Sequence, residues 1–382
     1  MNRDLLSGEY KRFPKHWEVI SFTKAFKDMT GGQTKIPKGD YLESGDIPII
    51  DQGQDLIGGY TNERQAVCDI RLPCVVFGDH TKIFKFVTKP FALGADGVKV
   101  LSEANNIDPK FAYYFLNTLN LPDVGYSRYF RFLKRTFFPL PPLEEQRRIA
   151  AILDKADGVR RKRKEAIRLT EELLKSTFLE MFGDPVTNPK GWEIAKLGDF
   201  GKILTGNTPP RSVSENYGDE IEWIKSDNIT TPEHFLTEAE EKLSAKGKKI
   251  ARTVPNGSVL VTCIAGSRSS IGRAALTDRE VAFNQQINAV VPNSDVDPYF
   301  LYGQLFVAQH LVQAQSTDSM KGMVNKSKFS SIEFIKPPSQ KQQKFGKWFL
   351  GFHRYYMNLI SGEEQSENLF NSLLQRAFRG EL

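Results

Sequence analysis

The hydrophobic pattern changes period repeatedly along this chain of 382 residues. Up to about residue 140, apolar residues come in short runs between turn signals: IPIIDQGQ, LPCVVFGDH and GVKVL. Such runs predict strands. DPKFAYYFLNTL, residues 108–119, opens on Asp-Pro and predicts a short helix. At PLPPLEEQRRIAAILDKAD, residues 139–157, the period turns helical. Proline suits the entrance of a helix and not its interior. The apolar seam then runs Ile149, Ile152/Leu153, Ala156, Val159, Ala166/Ile167, Leu173/Leu174, Phe178, Met181/Phe182. Its steps alternate between three and four, as on a helix face that keeps touching a partner helix. FGDP, residues 182–185, predicts the stop.

The whole sequence of events then recurs. IEWIK, GSVLVTCIAG, AALTD and INAVVPN predict strands, and DPYFLYGQLFVAQHLV, residues 297–312, predicts a short helix. IKPPSQKQQKFGKWFLGFH, residues 335–353, opens a second long helix. Its seam is Phe345, Trp348/Phe349, Phe352, Tyr355/Tyr356, Leu359, Leu369/Phe370, Leu373/Leu374, Ala377/Phe378. The first seam holds more small residues and the second more large aromatics, which predicts small-against-large packing between them. Gly362 interrupts the second seam and predicts a weak point. Pro141-Pro142 aligns with Pro337-Pro338, Gln146 with Gln342, Ser176 with Ser372, and KHWEVISF (15–22) resembles KGWEIAKLGDF (190–200). The chain therefore reads as two diverged copies of one unit. The fold class expected is α+β with a pseudo-twofold internal repeat: globules at 1–140 and 184–336, helical spacers at 141–183 and 337–382. A helix of ~38 residues is ~57 Å long and outgrows a small domain.

Charge changes the picture modestly. Net charge is +6 and the pI about 9.0, compatible with a polyanionic partner. Cys68, Cys74 and Cys263 cannot all pair and lack CxxC spacing, so they are expected to be buried, reduced thiols. The start of the chain has no apolar stretch of a secretion signal, and no apolar run approaches the ~18 residues of a membrane span. A cytoplasmic protein is expected, with no membrane association.

Catalytic signatures are missing. MTGGQTK (29–35) lacks the spacing of a phosphate-binding loop. Neither the glycine-rich cofactor loop nor the Asp/Asn-Pro-Pro-aromatic motif that a DNA aminomethyltransferase requires is present. Glu240-Glu241-Lys242 resembles the tail of a nuclease site, without the upstream half. His16, His80, His234, His310 and His353 have no second ligand at metal spacing. What remains is a set of polar loops suited to phosphates and base edges. TGNTPPR offers Thr205, Asn207, Thr208 and Arg211; AGSRSSIGR offers Ser267, Arg268 and Arg273. FNQQIN offers Asn284, Gln285 and Gln286, whose amides can pair with adenine, and SMKGMVNKSK offers Lys321 and Lys326. In the first half, GGQTK (Gln33, Thr34, Lys35), DHTK (His80, Lys82) and YSRYFRFLKR (Arg128, Arg131) are the analogues. Any one of these alone reads as a solvated loop; their recurrence in both halves points to a shared task. The RRKRK run at 160–164 lies on the helix and reads as a solvated face.

PLPPLEEQRRIAAILD, the helix ending FLEMFGDP, KGWEIAKLGDF, TGNTPPR, AGSRSSIGRAAL, FNQQINAVV and KGMVNKSKFSSIEF together resemble the DNA-specificity subunit of type I restriction-modification enzymes. Ser339 and Lys341 depart from the pattern of the first copy, and the first half lacks TGNTPPR, which places the two globules in different sequence subgroups. The resemblance implies two target recognition domains, each reading half of a bipartite site in double-stranded DNA. It implies that the long helices form an antiparallel coiled coil that fixes the gap between half-sites. It also implies that the chain is not an enzyme and binds no cofactor itself. Two methylation subunits using S-adenosylmethionine, and restriction/translocase subunits using ATP and Mg, would carry the chemistry. The competing readings are a coiled-coil scaffold without DNA reading and a self-contained DNA-modifying enzyme.

Overall fold

The computed structural model of the chain describes residues 13–95, 97–229, 233–317 and 322–382. The chain forms two compact units, Met1–Lys162 with Glu363–Leu382, and Arg163–Gly362. Each unit contains one globule and two helix halves. The long helices run Leu143–Phe182 and Ser339–Ala377, so each begins directly after its proline pair. Glu144 and Glu145 sit in the first turn of the first helix, where the backbone dipole favours negative charge.

The two globules share one topology. In the first unit a four-stranded sheet has the spatial order Phe26–Asp28, Val98–Glu103, Cys74–Gly78, Phe84–Val87. In the second unit the order Gly201–Thr205, Ile287–Pro292, Val259–Thr262, Ala274–Leu276 repeats it, with every pairing antiparallel in both. A second sheet is likewise matched. Ala92–Gly94 lies parallel to Ile47–Ile50, which pairs with Gly59–Thr61; Val281–Phe283 lies parallel to Tyr217–Ile224, which pairs with Lys242–Leu243. The copies differ at the edge: Lys35–Ile36 runs parallel to its neighbour, whereas Thr253–Val254 runs antiparallel. Each globule closes with a two-stranded pairing that leads into its proline pair, Glu18–Ser21 with Phe137–Leu140 and Ile194–Lys196 with Glu333–Ile335.

The same device fastens each long helix to its globule. Gln146 and Gln342 are both fully buried. Gln146 Oε1 accepts from the Asp108 amide at 2.8 Å, and its Nε2 donates to the carbonyls of Pro141 (2.8 Å) and Asn106 (3.0 Å). Gln342 Oε1 accepts from the Asp297 amide at 3.1 Å, and its Nε2 donates to the Pro337 carbonyl at 2.8 Å. Asp108 and Asp297 in turn cap the short helices Pro109–Leu116 and Pro298–Val307. One amide side chain thus locks the proline entrance of a long helix to the start of a short one.

In the second unit the helix halves pack antiparallel. Phe178 meets Phe345 edge-on at 5.4 Å, and Tyr356 donates to Glu171 at 2.8 Å, so one helix's numbering falls as the other's rises. Leu174, Phe178, Phe182, Phe345, Phe349 and Tyr356 are completely buried. In the first unit Ile149 and Leu153 join Phe370 and Phe378 in the core, and Arg160 donates to Glu367 at 2.9 Å while lying over the Phe370 ring.

Three expectations for the helices are corrected. Leu173 is 51% exposed and Val159 49%; the buried neighbour is Leu174. Adjacent residues stand ~100° apart on a helix, and only one of them can face the seam. Small-against-large packing fails where Phe178 and Phe182 both meet Phe345, large on large. The helix continues through Gly362, where a side chain would collide with the Arg163 guanidinium, so this glycine makes room for a cation. The basic run is accordingly no uniform solvated face, since Arg160 is half-buried between Asp157 and Glu367. Cys68, Cys74 and Cys263 are buried and unpaired, and burial pushes the Cys68 thiol up to about 11. Among the described residues no helix is long and apolar enough to cross a membrane.

Candidate nucleic-acid interface

Antiparallel strands bring alternate loops to the same end of a sheet. In the second unit that end collects all four polar motifs. TGNTPPR leaves the strand Gly201–Thr205, AGSRSSIGR follows Val259–Thr262, and FNQQIN precedes Ile287–Pro292. Gly322–Met323 pairs with Ile264–Ala265 and carries Val324–Lys328 alongside.

Direct contacts weld these loops. The amides of Gly206 and Asn207 donate to the carbonyls of Ile287 and Phe283, at 3.1 and 3.0 Å. A side chain at position 206 would lie 2.1 Å from the Asn284 carbonyl oxygen, so only glycine allows this approach. Thr205 donates to Asn288 at 2.6 Å, and Thr208 contacts Gln285. The Gln286 carbonyl accepts from Cys263 and Ile264, and the Cys263 carbonyl accepts from Val324. Gln309 and Gln313 brace the AGSRSSIGR loop through its backbone, at Ser269, Ile271 and Arg268.

Each candidate can now be sorted by what its polar end touches. Arg268, Gln285 and Lys326 are exposed at this edge, and Ser267 shares hydrogen bonds with Ser269 and Ser270. Arg273 is half-buried, its Nε donating to the Ser269 carbonyl at 3.3 Å. Asn207, Asn284 and Gln286 are turned to the fold. Asn207 holds Ile250 and Arg252 through their backbones, and Asn284 holds Gln286 through both its backbone amide and its side chain. Arg211 spends its guanidinium fork on Glu241, at 2.9 and 3.1 Å, beside the rings of Tyr217 and Trp223. Glu241 also binds Lys225, and the two cations draw its carboxyl down to about 2. Arg211 is thus a loop anchor, and Glu241 and Lys242 of the Glu240-Glu241-Lys242 triplet are engaged in ion pairs, Lys242 lying 3.4 Å from Glu238. Lys321 lies outside the described residues.

The first unit presents the matching edge. GGQTK follows the strand Phe26–Asp28, DHTK follows Cys74–Gly78, and YSRYFR leads into the short helix Phe130–Leu133. DHTK and YSRYFR are joined: the Asp79 carboxylate accepts from the Phe130 amide at 2.6 Å, and the Asp79 carbonyl from the Tyr129 amide at 2.7 Å. His80 Nδ1 donates to the Ser127 carbonyl at 3.0 Å. Lys82 lies over the Tyr129 ring and 3.5 Å from Asp123. Arg128 is exposed, as is Arg131, which donates to Ser127 at 3.0 Å. Thr34 and Lys35 are exposed, while both ends of the Gln33 amide hold the Asp69 backbone. Two residues escaped the sequence reading. Gln52 accepts from the His80 amide and, through its carbonyl, from Thr81. Tyr126 is 90% exposed with its ring stacked on His80. The second of these has a sequence signal in hindsight, an aromatic next to a Gly turn and among arginines.

Comparison with known proteins agrees with this architecture. The family model described as "Type I restriction modification DNA specificity domain" matches twice, at residues 14–169 and 189–365. The HindI specificity subunit of Haemophilus influenzae is 31% identical over 200 residues, covering 51% of this chain and 42% of that relative. The EcoR124I/EcoR124II specificity subunit of Escherichia coli is 25% identical over 329 residues, 80% of this chain and 79% of the relative. The MjaIX specificity subunit of Methanocaldococcus jannaschii matches over 44% of its length, so the chain spans under half of two of these three curated relatives. In fold, it superimposes on the S subunit from M. genitalium with a TM-score of 0.61 at 15% identity, covering 95% of this chain and 96% of that one. Two copies of the family's domain, arranged in the same strand order and each fastened to a long helix by a buried glutamine, leave no half of the chain unaccounted for: it belongs to the type I restriction-modification DNA specificity family.

Proposed function

We propose that this chain is the sequence-reading subunit of a type I restriction-modification assembly, each globule reading one half of a bipartite double-stranded DNA site. The observation that carries the reading is the gathering of four sequence-distant polar loops at one sheet end in the second unit, with the topologically equivalent end of the first unit also bearing exposed cations. Phosphate contacts hold a protein in register on DNA, and exposed amides and arginines read base edges. Arg268, Gln285 and Lys326 suit those roles in the second unit; Thr34, Lys35, Arg128 and Arg131 suit them in the first. The anchored residues Arg211, Asn207 and Asn284 would hold the reading loops in shape. Chemistry would come from partners: methylation subunits with S-adenosylmethionine, and ATP- and Mg-dependent restriction subunits, with no cofactor on this chain.

The test is methylome sequencing of a host carrying the wild-type gene or Arg268→Ala, with equilibrium DNA binding by the purified chain over a salt series. Arg268→Ala should relax one half of the methylated motif and leave the other half and the gap unchanged. If Arg268 meets a phosphate, the slope of log affinity against log salt should shrink by about 0.9. Equal loss at both half-sites would refute independent readers. Salt-insensitive association with protein and no DNA binding would favour a scaffold. Methyl transfer by the isolated chain would favour a self-contained enzyme.

A further inference from the structure

We infer that Tyr126, backed by His80, is a stacking platform for a DNA base in the half-site read by the first unit; this rests on the DNA-reading function proposed above. The rings of Tyr126 and His80 are stacked and parallel within 3°, with centroids 4.6 Å apart, yet Tyr126 is 90% exposed. One face of the phenol ring is therefore supported and the rest is open to solvent.

The support is held from several sides. His80 Nδ1 meets the Ser127 carbonyl, which can only accept, so this nitrogen carries the proton. The His80 amide donates to Gln52 Oε1 at 3.3 Å, and Thr81 donates to the Gln52 carbonyl at 2.8 Å. Gly97 has φ +76°, and a side chain there would lie 2.7 Å from His80 Cδ2, so the imidazole fills the space a larger residue would take. The Asp79 carboxylate pins the start of the helix Phe130–Leu133 that follows the tyrosine loop. The backing ring is thus fixed by the fold, and the tyrosine stands on it.

The surroundings select the occupant. Arg128 and Arg131, two and five residues after Tyr126, are exposed, and Lys82, two residues after His80, lies over the Tyr129 ring. Flat π surfaces strung along a polyanion are the chemistry of nucleic acid, and an aromatic face flanked by cations is the usual means of gripping an unstacked base. The backing residue His80 also lies in the turn between Cys74–Gly78 and Phe84–Val87, equivalent to the one that carries AGSRSSIGR in the second unit. Base faces inside a duplex are covered by their neighbours. Use of the platform therefore requires insertion of the ring at a base step or displacement of one base, and the first unit reads partly through the ease of opening that step.

The test uses the full-length chain and duplexes bearing the recognition sequence found by methylome sequencing, with an abasic position moved along the first half-site. Tyr126→Ala should weaken binding about 5- to 150-fold, as base–aromatic stacks do, and Tyr126→Phe should stay within about twofold. At one position, removing the base should weaken the wild type but not Tyr126→Ala, because the partner of that base is already gone. His80→Ala should lose part of the same effect. Tyr126→Ala binding as tightly as wild type overturns the platform and leaves the DNA-reading function standing. Tyr126→Phe as weak as Tyr126→Ala overturns it too, since the hydroxyl would then be the reader. No DNA binding by the wild type sinks the underlying function itself.

Discussion

Replacing Gln146 or Gln342 by leucine tests how each long helix is fastened to its globule. Both side chains are buried, and leucine is close in volume, so packing changes little while the hydrogen bonds vanish. Gln146→Leu orphans the Asp108 amide and the carbonyls of Pro141 and Asn106; Gln342→Leu orphans the Asp297 amide and the Pro337 carbonyl. Asn106 is exposed, so water can replace that bond, which leaves an amide and a proline carbonyl to be counted in each variant. A buried polar group left unpaired costs about 1–3 kcal/mol, so each substitution should cost about 2–6 kcal/mol. For a unit of this size that is a fall in melting temperature of roughly 4–24 °C. The local assay is hydrogen exchange at the Asp108 and Asp297 amides, whose protection should collapse in the respective variant alone. Glutamate offers a further control. Gln146→Glu can accept from Asp108, but it can donate to Pro141 only when protonated, so acid should partly restore it relative to Gln146→Leu. A stability loss under about 0.5 kcal/mol, or unchanged protection at both amides, would show that the glutamines merely fill space.

Two further outcomes follow from burial. Leu174→Ala should cost about 2–5 kcal/mol, as buried leucines do, whereas Leu173→Ala should stay within about 0.5 kcal/mol; urea unfolding of both variants decides it, and equal losses would put the seam elsewhere. His234 is buried among Tyr302, Phe349 and Tyr356, and burial holds its imidazole down to about 3. Below pH ~6.5 the unfolded imidazole takes a proton that the folded one refuses until about pH 3, so stability falls with pH through that window and is unaffected above it. Between pH 6.5 and 5 the loss from this group should be about 2 kcal/mol. His234→Asn tolerates the left-handed backbone at φ +64° and should remove this component from a pH series of urea midpoints; an unchanged pH dependence would refute it.

What could be read from sequence was whatever depends on period and punctuation. Strand runs, Asp-Pro helix starts, proline entrances and the Gly183 stop are local, and each stands where the pattern put it. The pairing of Gln146 with Gln342 was visible as an alignment, but its physical content was not, because its partners Asp108 and Asp297 lie about 40 residues upstream. The seam was legible to within one residue. Where two apolar residues stand side by side, as at Leu173 and Leu174, only the partner helix decides which one is buried. The candidate interface shows the same limit more sharply. Composition locates loops rich in amides and arginines, but an amide is equally suited to a base edge and to a neighbouring carbonyl. Asn207, Asn284, Gln33 and the Arg211 fork went to the fold, while Arg268 stayed outside and Gln285, though exposed, gives its amide oxygen to Thr208. Tyr126 and Tyr129 are three residues apart in one aromatic motif, yet the first is 90% exposed and the second 2%. That division is made by Asp79, whose carbonyl and carboxylate capture the amides of Tyr129 and Phe130 and turn one ring inward, while the Gly125 turn leaves the other outside. Surface chemistry on this chain therefore follows from which polar groups the core has already claimed, and the residues free to meet a ligand are those left over once that claim is met.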